Sequence, residues 1–71
     1  MFIYTYDEYW KNDGWAVAAF TADDTSQLLE IQHWCNTVFG KPNDRWEDCI
    51  RFGEVKFSDK KDLTMFILRW S

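Results

Sequence analysis

The chain has 71 residues, enough for one domain (residues 1–71) near the lower size limit for independent folding. Hydrophobic residues make up 46% and aromatics 20%, so an aromatic-rich core can stand in for the disulfides or metals that usually staple small domains, and a disordered chain is excluded. The net charge of −4 disfavours binding to phosphate backbones.

That charge is uneven. Residues 1–35 carry six acids against Lys11, a net −5, whereas residues 36–71 carry seven bases against six acids, a net +1. Two cysteines, Cys35 and Cys49, are too few for a secreted disulfide framework, and "MFIYTYDEYW" lacks the basic start and long apolar run of a signal peptide. No stretch approaches the roughly 18 apolar residues of a membrane span. The expected setting is the cytoplasm, with reduced thiols and no membrane association.

"FIYTY", Phe2 to Tyr6, is β-branched and aromatic throughout and predicts a strand. Phe2, Tyr4 and Tyr6 would share one face, with Ile3 and Thr5 on the other. Asn12-Asp13-Gly14 is a turn signal, and "WAVAAF", Trp15 to Phe20, predicts a second strand that completes a hairpin. Its alanines suggest close approach by a helix.

A long amphipathic helix follows. Asp24 is the predicted N-cap, with Gln27 three residues on, and Gly40 and Pro42 end the helix. Leu28, Ile31, Trp34, Cys35, Val38 and Phe39 form one stripe, Glu30, His33 and Thr37 lie opposite, and Leu29 stands on a flank. "KPNDRWED" reads as a polar connection. "CIRFGEVKFS" reads as one bent strand or two short ones, with Ile50 and Phe52, then Val55 and Phe57, alternating about a bend at Gly53.

The last segment, residues 59–70, fits both a helix and a strand. Capping by Ser58 or Asp59, Asp62 in the first turn, and a stripe of Leu63, Phe66, Ile67 and Trp70 favour the helix. Met65 and Leu68 would then project off the packed face. The order ββαβ(β)α describes an α+β two-layer sandwich, a small antiparallel sheet with two helices on one face.

Catalytic and cofactor motifs are absent. The three glycines are isolated, and the single histidine, His33, offers no hydrolase triad. His33 and Cys35 are two residues apart on a helix and diverge, so no metal site is expected. The acid pairs Asp7-Glu8, Asp23-Asp24 and Glu47-Asp48 read as solvated turns rather than paired catalytic carboxylates. A partner surface is the reading that remains. Tyr9, Trp10 and Trp15 bracket an acidic turn with Asp7, Glu8 and Asp13, and Met65 and Leu68 are further candidates.

Val55, Phe57, Asp59, Asp62, Phe66, Leu68 and Trp70 make a V-x-F…D…F-x-L-x-W pattern that resembles small, mostly uncharacterised proteins of tailed bacteriophages. The resemblance covers about half the chain, and Leu63 stands where such proteins commonly have alanine. It implies a phage origin and, by analogy, a protein that binds and modulates a host or viral protein in the host cytoplasm. The missing catalytic motifs and the net negative charge add the expectation of a non-enzymatic protein without cofactors and with no direct contact to nucleic acid. The alternative is a structural subunit that self-associates into a homo-oligomer through its last segment.

Overall fold

The computed structural model describes residues 2–8 and 15–71. The elements run β1 (Phe2–Glu8), β2 (Trp15–Thr21), α1 (Thr25–Phe39), β3 (Trp46–Cys49), a 3-10 turn (Ile50–Phe52), β4 (Glu54–Phe57) and α2 (Lys60–Trp70). The strands form one antiparallel sheet in the order β1-β2-β4-β3. Both helices cover one face of it, so the chain is the expected two-layer α+β domain.

Strand alternation divides the sheet into two faces. Ala18 and Phe20 of β2, Trp46 of β3, and Val55 and Phe57 of β4 point toward the helices and are buried. They meet Ile31, Cys35 and Phe39 of α1 and Phe66 of α2. Phe57 is the hub: its ring centroid lies 5.2 Å from Phe39 and 5.8 Å from Phe66, both at the tilted angles aromatic pairs favour. The small side chains of Ala16 and Ala18 let α2 approach β2.

Both helices carry the caps their sequences imply. Asp24 accepts a hydrogen bond from the Gln27 amide at 2.9 Å, and the Gln27 side chain accepts from the Asp23 amide at 2.7 Å. Gly40 ends α1 with φ 81° and donates its amide to the Asn36 carbonyl. Asp59 caps α2 by accepting from the Lys61 amide, which resolves the last segment as a helix. Phe66 is buried, Leu63, Ile67 and Trp70 are half-buried, and Met65 and Leu68 face outward.

Two expectations are corrected. The polar connection ends at Arg45, because Trp46, Glu47 and Asp48 belong to β3. Trp46 is fully buried opposite Phe57, and its indole N–H donates to the Gly40 carbonyl at 2.9 Å. The burial of one large ring therefore outweighs the polarity of its neighbours. The second correction is at Phe52. It does not alternate with Ile50 in a strand, because the chain winds into a 3-10 turn and leaves Phe52 81% exposed.

Gly53 permits that turn. Its φ of 80° lies in the left-handed region, and a Cβ there would stand 2.7 Å from the Phe20 carbonyl oxygen. The Phe20 amide in turn donates to the Gly53 carbonyl at 2.8 Å. A further tie joins the layers: Arg45 donates from Nε and Nη2 to the buried carboxylate of Asp62, at 2.7 and 3.1 Å.

Candidate binding face

Among the described residues, the face of the sheet away from the helices carries the largest grouping of exposed aromatic side chains. Antiparallel register sets Phe2 against Thr21, Tyr4 against Ala19 and Tyr6 against Val17, all on this face. Phe2, Tyr4 and Tyr6 are 68%, 56% and 39% exposed, so exposure falls steadily along the strand. Their rings follow one another at 6.3 and 6.5 Å between centroids. The Tyr6 hydroxyl donates to Glu54 Oε2 at 2.6 Å, which anchors that end of the row to β4.

Phe52 extends the row across the sheet. The left-handed turn at Gly53 presents its ring beside β4, and a shallow depression of about 160 Å3 opens between Phe2, Tyr4, Ala19, Thr21, Phe52 and Glu54. Farther along, Val17 and Lys56 are buried on this face, and Glu47 and Cys49 of β3 are half-buried. An exposed row of rings with a carboxylate at its side has the composition of an interface anchor set.

The residues singled out from sequence do not gather into one surface. Tyr9, Trp10 and Asp13 lie outside the described residues, as does the side chain of Glu8. Trp15 is half-buried, pairs with Glu8 at the end of the hairpin, and faces the same side as the aromatic row. Asp7 turns the other way, toward the helix layer, where its carboxylate stands 3.8 Å from the Lys60 ammonium. Met65 and Leu68 are exposed on the outer side of α2, with the core between them and the aromatic row. The sequence reading missed Phe2, Tyr4, Tyr6 and Phe52 as site residues. The period-2 pattern of "FIYTY" does reveal that three of them share a face; that the face has no helix over it is a property of the assembled layers.

Two other concavities open among the described residues. A groove of about 530 Å3 runs between α1 and the 3-10 turn, with Leu29 and Phe52 exposed at its lips. Its carboxylate, Asp48, is already engaged, accepting from the Gln32 side chain at 2.8 Å and from the Ile50 amide at 3.1 Å. A smaller hollow between α1 and α2 contains the perpendicular pair Trp34 and Trp70, and the Arg69 guanidinium stacks on Trp70 at 4.3 Å.

The thiols are poor nucleophiles. Burial, with a smaller push from Asp48, drives Cys35 up to about 12. Partial burial and then Glu47 also raise Cys49, partly offset by Lys56. Both are therefore protonated near neutral pH. The two are free, and they lie on opposite sides of the sheet, Cys35 in the helix layer and Cys49 on the other face. Among the described residues no cluster of three His, Cys, Asp or Glu side chains could hold a metal, and no helix is long and apolar enough to cross a membrane.

Comparison of the chain with models of known protein families, with curated proteins and with solved structures gives no match.

Proposed function

We propose that the protein is a non-enzymatic binding module that engages another protein through the helix-free face of its sheet. The observation that carries this reading is the exposed aromatic row Phe2, Tyr4 and Tyr6, extended by Phe52, on a face the two helices leave uncovered. Aromatic side chains bury large area at low entropic cost and dominate the energetics of protein interfaces. The phage-type pattern of the C-terminal half supports a host or viral protein as the target, bound and modulated in the host cytoplasm.

The chemistry of the face supports binding over catalysis. Its depression is shallow, and the carboxylate that lines it, Glu54, already holds the Tyr6 hydroxyl. Both thiols are held protonated by burial and neighbouring acids. Rows of aromatics on a sheet can also stack nucleic-acid bases, but such platforms add a cationic track for phosphates. Among the described residues the sheet strands place Glu47 and Glu54 on this face, and their lysine, Lys56, is buried. A protein partner fits that charge better than a nucleic acid does.

The test is quantitative capture from host lysate, with the wild type, a Phe2→Ser/Tyr4→Ser double variant and Leu68→Ser as baits. Loss of even one of the two anchors should weaken a specific partner by about 30-fold or more, since a hot-spot truncation costs at least about 2 kcal/mol. Leu68→Ser should capture as the wild type does. Equal capture by all three baits would refute the assignment of this face.

A further inference from the structure

We infer that β1 is a self-pairing edge: two copies of this chain join antiparallel along residues 2–6, about a two-fold axis at Tyr4, into one eight-stranded sheet. The inference goes beyond the binding face described above, because it concerns the outer backbone edge of β1 rather than the outward faces of its rings.

The two edges of the sheet are built differently. The β3 edge is four residues long and carries Glu47 and Asp48, and short, charged edges resist pairing with other chains. The β1 edge is seven residues long and pairs with β2 without a bulge, and its central stretch, Phe2 to Tyr6, holds no charge, proline or glycine. The helices lie mainly over β2, β4 and β3 and reach β1 at Ile3, which packs against the core, and at Asp7, beside Lys60, whereas Thr5 between them is exposed. Among the described residues, none of the usual guards against edge pairing is present on that stretch.

The occupant that fits is a second copy, because the strand is self-complementary, most fully in one register. Centred on Tyr4, antiparallel pairing sets Phe2 opposite Tyr6 of the other copy, Tyr4 opposite Tyr4, and Ile3 opposite Thr5. Every pair on the helix-free face is then aromatic on aromatic, a favourable cross-strand combination. Asp7 and Glu8 fall beyond the paired stretch at opposite ends, so no like charges face each other. Of the two registers one step away, the one centred on Thr5 would set Phe2 against Glu8 and Ile3 against Asp7, apolar residues against acids, and the one centred on Ile3 would pair Phe2 with Tyr4 but leave Tyr6 outside the ladder. The preferred register joins the two aromatic rows into one continuous ladder, with its outer ring faces still open to a partner.

Size sets the strength. The three rings of each copy are 68%, 56% and 39% exposed; at roughly 150–250 Å2 per ring they leave about 500–800 Å2 accessible on the pair, and side-by-side packing shields only part of that. Stable complexes bury about 1,200 Å2 or more. Pairing should therefore be reversible, with a midpoint on the order of 100 µM.

The experiment is sedimentation from about 10 µM to about 1 mM, a range chosen to bracket that midpoint. The wild type should shift from monomer toward dimer across it. Tyr4→Lys sets two ammonium groups face to face at the axis and should remain monomeric throughout, with an unchanged circular dichroism spectrum. Register is read by crosslinking with oxidised glutathione in a Cys49→Ser background. Tyr4→Cys puts two thiols opposite each other at about 4.5–5.5 Å between Cα atoms, within disulfide reach, and should give a covalent dimer. Tyr6→Cys faces Phe2 and should not. A wild type that stays monomeric to about 1 mM would overturn the inference, as would a dimerising Tyr4→Lys or equal crosslinking of the two cysteine variants. Loss of capture by Phe2→Ser/Tyr4→Ser in a protein that never dimerises would overturn the pairing and leave the binding face standing.

Discussion

Replacing Phe66 by alanine removes the ring on which α2, α1 and the sheet converge. Phe66 is fully buried, with ring centroids of Phe57, Phe20 and Trp34 at 5.8, 5.9 and 6.2 Å. Truncating a buried Phe costs about 3–5 kcal/mol, and close packing on three sides places this site toward the upper end. A domain of 71 residues has about 4–11 kcal/mol of total stability, so the variant should be near the edge of folding. Phe66→Leu keeps most of the volume and should lose only about 1–1.5 kcal/mol, which preserves a measurable transition if the alanine variant unfolds. The assay is urea denaturation followed by tryptophan fluorescence and far-UV circular dichroism. Leu68→Ala, at a side chain 78% exposed on the same helix, serves as the control and should stay within about 0.5 kcal/mol of the wild type. If Phe66→Ala and Leu68→Ala shift the midpoint equally, α2 does not dock through this stripe and the reasoning about the last segment fails.

Other substitutions probe the turn, the cap and a buried thiol. Gly53→Ala forces a side chain into the left-handed region and against the Phe20 carbonyl oxygen, 2.7 Å away, so thermal denaturation should show a loss of at least about 2 kcal/mol; an unchanged midpoint would contradict the turn. Asp24→Ala deletes the cap on the Gln27 amide and should cost about 1 kcal/mol in urea. Cys35 has an ordinary value of 9.0 and is pushed up to about 12 in the folded chain. The folded state therefore keeps a proton that the unfolded state releases, and this contribution is full below pH 9 and is lost as the pH rises toward 12. The wild type should lose more stability than Cys35→Ala across that window, and parallel curves in pH-dependent denaturation would count against it.

Much of the fold was legible because local signals agreed with one another. Asp24 with Gln27 marked the start of α1, Gly40 its end, and the apolar stripe between them its buried face. The last segment was harder, since Phe, Ile and Trp favour strands; the cap at Asp59 and the spacing of Leu63, Phe66 and Trp70 were the deciding signals. Trp46 was misjudged because it stands among Asn43, Asp44, Arg45, Glu47 and Asp48, and local polarity says nothing of a pocket built by Phe39 and Phe57 from elsewhere in the chain. Phe52 was misjudged because alternation cannot show that a strand is interrupted by a turn. The candidate site was harder still. "FIYTY" declares which residues share a face, but the choice of which face the helices cover depends on every strand at once.

The sequence by itself determined the elements, their caps and the division of each into a packed and an open side, since these follow from dihedral preference and periodicity within a few residues. Only the tertiary structure decided which open side matters. Both helices lie on the face that holds Phe20 and Phe57, because that is where their apolar stripes can be buried. The stripe of Phe2, Tyr4 and Tyr6 is therefore left without a helix over it, and β1 becomes an edge strand because the chain returns β4 to the far side of β2 rather than beside β1.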